Sequence, residues 1–215
     1  MQKNYFGEII ESSLTQWRGQ CWEWDYFPPL GSLICIKTAE YTLYGIINDV
    51  HTGSADPSRE PYAYKKTEEE LRQQQPQIFS FLKTTFSCIP LGFKTNEHMM
   101  YQLPPTPPKI HAFVMHAQEQ ERADFFANTD YIHLLAHSPL AQAHIDELLL
   151  ALLYQMSSHT LCNGEYLEHF IKQYMLITAN DYKRTKIMSQ RIQELVKRQT
   201  STGFTQHEDH ANVLV

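Results

Sequence analysis

The sequence predicts an α+β protein in which a small N-terminal β-barrel is followed by a C-terminal bundle of α-helices. The first half contains short runs rich in aromatic and β-branched residues, each bounded by turn residues, which is typical of strands. The second half contains apolar residues at the i, i+3, i+4 spacing of amphipathic helices. A proline-rich stretch at 104–108 lies between the two patterns.

The composition is that of a folded, acidic protein. The chain has 215 residues, of which 42% are hydrophobic and 20% are charged, so we expect a sizeable core rather than disorder. There are 24 acidic and 18 basic residues, which gives a formal net charge of −6. That charge argues against nucleic acid or anionic lipid as a partner unless the basic residues are concentrated in one place.

The sequence also predicts a cytoplasmic protein that is not associated with a membrane. No apolar run approaches the roughly 20 residues needed to span a bilayer, and the first residues lack the apolar stretch of a secretory signal. The four cysteines form no C-x-x-C pair. We expect their thiols to be reduced and buried as small apolar groups. These cysteines are Cys21, Cys35, Cys88 and Cys162.

Strands are predicted along most of the first half. Gly45 lies inside one of them and indicates a bulge or bend, which small barrels need. The polar segment 51–66 predicts a loop, and Thr67 with Glu70 forms a capping box that begins a short helix ending before Pro76. The predicted strands are 5–12, 16–24, 33–37, 41–50, 79–86, 89–93, 99–103 and 110–115.

The stretch Pro104-Pro105-Thr106-Pro107-Pro108 favours a stiff, extended backbone. We interpret it as the connection between the barrel and the helices, with the last strand close to the junction. The predicted domains are a barrel at 1–117 with an inserted short helix, a helical domain at 118–198, and a flexible tail at 199–215, where the apolar pattern ends.

Helices are predicted along the second half. The first spans 118–127, and Ser138-Pro139 resembles a capped start for the next. A further helix follows Asn163-Gly164, and a more polar one follows it. The apolar face of the second helix, with its regular leucines, predicts packing or self-association. Its residues are Ile145, Leu148, Leu149, Leu152, Leu153 and Met156.

The strand half resembles the HAS-barrel, the small β-barrel at the N-terminus of HerA-type DNA-translocating ATPases, which is related to the barrel of ATP-synthase catalytic subunits. The resemblance covers about residues 3–120 and consists of glycines and apolar positions in a particular order. It is carried by Gly7-Glu8-Ile9-Ile10, by Pro29-Leu30-Gly31-Ser32-Leu33, by Tyr44-Gly45-Ile46-Ile47 and by Val50-His51-Thr52-Gly53-Ser54. It implies a barrel that mediates assembly, docking to a nuclease or to neighbouring subunits.

The ATPase part of that family has no counterpart in this sequence. A P-loop needs G-x-x-x-x-G-K-[ST], because clustered backbone amides hold the phosphates and a lysine reaches them. None of the eight glycines is followed five residues later by a second glycine and a lysine. We therefore expect no bound nucleotide, no other cofactor and no ATP hydrolysis.

The histidines raise the question of a metal-dependent hydrolase. His133, His137 and His144 are candidate zinc ligands, since the first two would share a helix face. The segment lacks the H-E-x-x-H pattern, so the preferred interpretation is surface or capping histidines and no metal. Cys162 follows His159 closely in sequence, but a packed thiol is preferred over a nucleophile. The cluster from His207 to His210 is interpreted as a solvated chain end.

Two other groups of residues are candidate binding sites. A basic concentration on the last helix could contact the phosphates of a nucleic acid, or could be a solvated helix face. Its members are Lys183, Arg184, Lys186, Arg191, Lys197 and Arg198. Trp17, Trp22 and Trp24 could form an aromatic surface for a partner, with Trp22 and Trp24 on one face, or could be core residues.

These observations lead to one preferred function and two alternatives. The preferred one is a non-catalytic assembly or adaptor protein that uses the barrel to bind a protein partner or a second copy of itself, a HerA- or FtsK-type motor or its nuclease being the partner by analogy. The first alternative is nucleic-acid binding through the basic helix. The second is a hydrolase built on the three histidines.

Overall fold

The computed structural model describes residues 5–56, 58, 61–96, 98–139, 144–157, 164–179 and 181–205. The chain divides into two compact units, Met1–Ala117 and Gln118–Val215. The first consists mainly of strands and the second of helices.

Six strands of the first unit close into a barrel. Every pairing is antiparallel, and the order around the ring is β2–β1–β7–β3–β4–β5, after which β5 pairs again with β2. A short seventh strand, β6, pairs with β5. The strands are β1 (Tyr5–Ser12), β2 (Trp17–Cys21), β3 (Leu33–Lys37), β4 (Thr42–Ser54), β5 (Leu82–Lys94), β6 (Met99–Met100) and β7 (Phe113–His116). The predicted fold class, a barrel followed by helices, is confirmed.

The core of the barrel is formed by side chains from all six strands of the ring. Removal of this apolar surface from water is the main favourable contribution to folding of the unit. Three of the four cysteines, at positions 21, 35 and 88, are buried, and Cys162 lies outside the described residues. The core residues include Phe6, Ile9, Trp17, Ile34, Ile36, Leu43, Ile47, Phe86, Cys88 and Val114.

Strands β4 and β5 form a hairpin that is longer than predicted. The register pairs His51 with Thr85 and Ser54 with Leu82, so residues 51–54 are strand. The prediction of a loop from residue 51 is therefore wrong for these four residues, and the predicted strand at 79 begins only at Leu82. Cross-strand hydrogen bonds to a segment about thirty residues away outweigh the local polar composition.

The connection between β4 and β5 contains helix α1 (Glu68–Gln74) and a 3-10 turn at Pro76–Phe81. The predicted capping box is confirmed: the Glu70 amide donates to the Thr67 hydroxyl, and the Glu70 carboxylate accepts from the Thr67 amide. Pro76 opens the 3-10 turn directly after the helix, as the sequence predicts.

The proline-rich stretch lies inside the barrel unit, between β6 and β7. Pro104 and Pro108 are buried, and the hydroxyl groups of Thr106 and Tyr41 form a hydrogen bond. The interpretation of this stretch as the connection to the helices is therefore wrong. It leads instead to β7, which pairs with β1 on one side and with β3 on the other and so completes the ring.

The second unit contains five helices among its described residues. Ser138 follows the end of one of them, and its amide donates to the Leu135 carbonyl, so the predicted helix start at Ser138 is wrong. The last helix extends to Thr205, into the predicted tail, and residues 206–215 lie outside the described part. The helices are α2 (Glu119–Phe125), α3 (Tyr131–His137), α4 (Ile145–Ser157), α5 (Gly164–Ile177) and α6 (Tyr182–Thr205).

The apolar face of α4 is not available for self-association. Leu148, Leu149, Leu152, Leu153 and Met156 are all buried. Within the second unit, α4 contacts α6, and α5 contacts both α3 and α6. The leucine pattern thus identified a packed face, which is the more common role of such a stripe.

None of the described helices combines the length and the apolar character that crossing a membrane would require.

Candidate interaction surface on the barrel

The three tryptophans occupy three different environments. Trp17 on β2 is fully buried in the barrel core, so it contributes nothing to a surface. Trp22 follows the end of β2 and is 50% exposed. Trp24 is half-buried and stacks on Phe79, with the ring centroids 5.3 Å apart. The structure therefore does not bring the predicted trio together, and Trp22 is the most exposed of the three.

Trp22 belongs to an exposed aromatic cluster formed with Phe113 of β7 and Tyr5 of β1. The Trp22 and Phe113 rings meet edge to face with centroids 5.5 Å apart, and the Tyr5 and Phe113 rings are 5.2 Å apart. Phe113 is 48% exposed. Edge-to-face contacts of this kind favour one arrangement of the rings. We call these three residues and Glu8 the Trp22–Phe113 surface.

Glu8 holds this surface in place. The Trp22 indole Nε1 donates to Glu8 Oε1 at 3.1 Å, and His111 Nδ1 lies 3.1 Å from Glu8 Oε2. Glu8 lies on β1 between β2 and β7, where the register sets it opposite Phe113. The Glu8 carboxylate thus contacts side chains from two other segments of the chain, which lowers the freedom that a partner would otherwise have to restrict.

Further apolar side chains are exposed on the same strands or next to them. Ile10, on β1, is 39% exposed, and Ile110, just before β7, is 49% exposed. The backbone joins these segments, since the His111 amide donates to the Ile9 carbonyl and the Ile9 amide to the Ala112 carbonyl. Exposed apolar groups rimmed by polar ones are typical of protein-binding sites, whereas scattered single ones are not.

Trp24 serves a different purpose. The Arg72 guanidinium of α1 lies 4.8 Å from the Phe79 ring centroid and 5.8 Å from that of Trp24. It also forms ion pairs with Glu68 at 2.7 Å and with Asp25 at 3.5 Å. Cation–π contacts and ion pairs at one arginine attach the α1 insertion to the segment after β2. Trp24 therefore has a structural role, because it helps to attach the α1 insertion to the segment after β2.

The basic residues of α6 are partly neutralised by α4. Arg184 binds Asp146 through two hydrogen bonds, of 2.9 and 2.7 Å, and Arg191 binds Glu147 through two, of 2.6 and 2.8 Å. The Asp146 contact raises the pKa of Arg184, and the Arg191 contact lowers the pKa of Glu147. Two of the six predicted phosphate-binding residues are thus engaged within the protein.

Three of the other basic residues of α6 lie on its exposed side. Lys183, Lys186 and Lys197 are exposed, and nothing is described of the Arg198 side chain. Asp181 precedes the helix, and its carboxylate accepts from the Arg184 amide. These features fit a capped, solvated helix, while the prediction of a nucleic-acid contact remains a prediction.

The candidate zinc ligands make other contacts. His133 Nε2 lies 2.9 Å from Gln173 Oε1, and His137 Nδ1 lies 2.7 Å from the His133 carbonyl oxygen. His144 precedes α4, and its carbonyl accepts from the Leu148 amide. Over the described part of the chain, no three His, Cys, Asp or Glu residues are grouped closely enough to hold a metal ion. His159, Cys162 and the cluster at 207–210 lie outside that part.

Sequence reasoning missed Tyr5, Glu8 and Phe113 as members of the surface. The signal for Phe113 was present, because the alternation of β7 buries Val114 and leaves Phe113 outside. Regular alternation along β1 would place Glu8 on the same face as Phe6, but the register shifts between Tyr5 and Gly7, so local pattern could not identify Glu8 as an outward position. Their proximity to Trp22 follows only from the order of strands in the ring.

The chain matches no protein-family model, and no curated protein matches its sequence.

Proposed function

We propose that this chain is a non-catalytic assembly or adaptor protein that docks on another protein through the Trp22–Phe113 surface of its barrel. The observation that carries the proposal is an exposed aromatic pair, Trp22 and Phe113, in which the Trp22 indole donates a hydrogen bond to the Glu8 carboxylate. Tryptophan and other large aromatic side chains are enriched among the residues that dominate binding energy at interfaces. A prearranged cluster binds with a smaller entropic cost than a flexible one.

The partner class comes from the family resemblance. A closed, six-stranded antiparallel barrel is compatible with a HAS-barrel, and HerA-type proteins use that module next to a motor domain that this chain lacks. We propose that the partner is a HerA- or FtsK-type motor or its nuclease. A cytoplasmic location is part of the same proposal.

The test compares the proteins recovered with tagged chain from the native organism. The wild type is expected to recover a motor or nuclease, and the double variant Trp22→Ala/Phe113→Ala is expected to lose it. With the purified partner, calorimetry should show at least a tenfold weaker association, about 1.4 kcal/mol, for the double variant. Tyr62→Ala is the matched control, because Tyr62 is an equally large ring that is 68% exposed on the α1 insertion.

Two results would contradict the proposal. Undiminished binding of the double variant to the recovered partner would exclude the Trp22–Phe113 surface as the docking site. ATP hydrolysis by the purified protein, or tight ATP binding in a calorimeter, would exclude a purely non-catalytic role. We expect neither, because the sequence has no P-loop.

Nucleic-acid binding through α6 receives less support. Its two arginines with the best geometry for phosphate already hold carboxylates of α4, which a nucleic acid would have to displace. A gel shift at low salt that weakens on changing Lys183, Lys186 and Lys197 to alanine would favour this alternative. The absence of a shift at low salt would remove it, since such contacts are strongest there.

A further inference from the structure

The barrel leaves one edge of β4 without a neighbouring strand among the described residues. Strand β3 pairs with β4 only from Thr42 to Ile46, whereas β5 pairs with the opposite edge along the whole of β4. The backbone of Ile47 is still bonded to Gly31 and Ser32. Beyond it, from Asn48 to Ser54, no described strand lies on the β3 side. Such an edge offers unpaired amides and carbonyls to another chain.

A polar cleft lies on the outer face of the barrel next to this edge. It has a volume of about 450 Å³ and crosses four strands from the end of β1 to β4. The register aligns Glu11 with Arg18, Arg18 with Ser87, and Ser87 with Asp49. His51 lines the cleft one outward position further along β4. Asp49 and His51 are therefore the cleft residues closest to the open edge.

The charges of the cleft favour a cation. Arg18 is closest to Glu11, at 3.9 Å, and both side chains are largely exposed. Asp49 is exposed and has no ion pair with any described residue. The cleft holds the carboxylates of Glu11 and Asp49 and the guanidinium of Arg18. A strand added to β4 would place its own outward side chains beside Asp49 and His51, at the distance of cross-strand neighbours.

We propose that the edge of β4 from Asn48 to Ser54 accepts an extended segment of a partner protein as an added strand, and that Asp49 selects a lysine or arginine in that segment. Backbone hydrogen bonds supply affinity in this mode of recognition, and alternate side chains supply specificity. The inference goes beyond the proposed function, because it concerns other strands than the Trp22–Phe113 surface and specifies the chemistry of the bound segment.

A second copy of this chain fits the edge less well than a basic segment does. The sequence from Asn48 to Ser54 contains no lysine or arginine. Pairing of two such edges would therefore set no lysine or arginine beside either Asp49 carboxylate. Opposite charges across a pair of strands stabilise it, whereas a bare carboxylate contributes nothing.

The test uses two synthetic peptides with blocked ends, both of alternating valine and threonine, one with a central lysine and the other with glutamate in its place. Each is titrated into the isotope-labelled full chain, and amide resonances are followed by NMR. The lysine peptide is expected to shift and protect the amides of residues 48–54. It should bind about fivefold more tightly than the glutamate peptide, as expected for a half-exposed charge contact.

Two variants check the role of the carboxylate. Asp49→Asn should remove the preference for lysine, whereas Glu40→Gln, which neutralises an exposed carboxylate in the turn at the other end of β4, should keep it. Equal affinity of the two peptides for the wild type, or shifts that miss residues 48–54, would overturn the proposal. So would shifts of these amides on concentrating the protein alone, which would indicate a second copy at the edge.

Binding of the lysine peptide at the β4 edge does not depend on the Trp22–Phe113 surface. Trp22→Ala/Phe113→Ala is expected to bind the lysine peptide as the wild type does, because those residues lie on β7 and after β2. Loss of peptide binding with an intact Trp22–Phe113 interaction would contradict only the edge proposal. The reverse result would contradict only the proposed function.

Discussion

Trp17 is the largest side chain in the barrel core. Packing of its ring stabilises the core, whereas burial of its N–H group destabilises it. Its ring lies against Gly45, where an added Cβ would come within 2.9 Å of it, so the glycine makes room for the indole. The indole Nε1 is buried and has no hydrogen-bond partner among the described residues. A buried donor without an acceptor costs about 1–3 kcal/mol. The free energy gained by packing the ring must therefore exceed the cost of removing the N–H group from water.

This conflict predicts different effects for two substitutions at position 17. Trp17→Ala should lower the free energy of unfolding by about 3–5 kcal/mol, since it leaves a large cavity. Trp17→Phe should cost less than about half of that, because it keeps most of the apolar volume and removes the unsatisfied N–H. Urea unfolding followed by far-UV circular dichroism measures both. Equal losses for the two variants would contradict this account, because they would show that keeping the apolar volume and removing the N–H bring no benefit.

The buried thiols predict a loss of stability at alkaline pH. Burial raises the pKa of Cys21 from 9.0 to about 12, and burial also raises the pKa of Cys88. In the unfolded chain these thiols ionise near 9.0, whereas in the folded barrel they stay protonated. Above pH 9.0 the unfolded state loses protons that the folded state keeps. The free energy of unfolding is therefore unaffected by these thiols below pH 9.0 and decreases as the pH rises towards 12.

The measurement is the urea midpoint at several pH values on either side of 9.0, with Cys21→Ala as the comparison. The variant should show a shallower alkaline decline than the wild type. Thiol reagents at neutral pH should also react slowly with the native protein and rapidly in urea, since the thiolate is the reactive form. Fast reaction of Cys21 in the native state would contradict its burial.

The fate of the tryptophans shows what single-residue reasoning could and could not predict. Within β2, alternation sends Trp17, Gly19 and Cys21 inward, as the pattern allows. The strand ends at Cys21, so the same alternation no longer applies to Trp22 and Trp24. Their environments depend on Phe113 and Phe79, which are far away in sequence. Exposure of Trp22 was accordingly not predictable from its neighbours.

At the level of elements, local signals located α1 and failed at the ends of β4 and β5. The capping box at Thr67 is a contact between residues three apart, so the sequence contains all of it. Residues 51–54 of β4 pair with residues 82–85 of β5, and these two segments are separated in the sequence by the insertion that contains α1. Polar residues such as His51 and Thr52 therefore looked like a loop. Element ends that depend on distant partners are the ones sequence patterns miss.

The contact between α4 and α6 centres on Asp146 and carries another prediction. Its carboxylate accepts from Arg184 twice and from the buried Tyr174 hydroxyl at 2.9 Å. Asp146→Ala leaves both donors without their acceptor, and we expect a loss of about 1–2 kcal/mol, since hydrogen bonds to charged groups lie at the upper end of the usual range and the site is partly solvated.

Glu147→Ala is the matched control for that measurement. It removes the neighbouring ion pair with Arg191, whose two side chains are 43% and 58% exposed, and should cost less than about 1 kcal/mol. Thermal unfolding monitored at the helical signal compares the two variants. A larger loss for Glu147→Ala than for Asp146→Ala would mean that the exposed pair, and not the Asp146 network, connects the helices.

At the level of the whole molecule, the barrel is closed by β7, which is the last strand of the unit in sequence order. Strand β7 has only four residues, yet it pairs with β1 and β3, which would otherwise both be sheet edges. The sequence predicted a strand here, but the prolines at 104–108 before it were interpreted as the connection between the two domains, because prolines commonly mark the ends of structural elements. Topology, unlike the number of strands, follows from long-range pairing that no local pattern contains.

This closure predicts a sharp difference between two truncated chains. Residues 1–117 contain all six strands of the ring and form one compact unit, so we expect a monomer with a β-type circular dichroism spectrum and cooperative urea unfolding. Residues 1–108 end before Phe113, which leaves the edges of β1 and β3 open and removes Val114 from the core. Open edges beside exposed apolar residues favour aggregation, so size-exclusion chromatography should show soluble aggregates or no soluble protein. If residues 1–108 instead gave a monomer with the same unfolding midpoint as residues 1–117, β7 would not be needed to close the barrel.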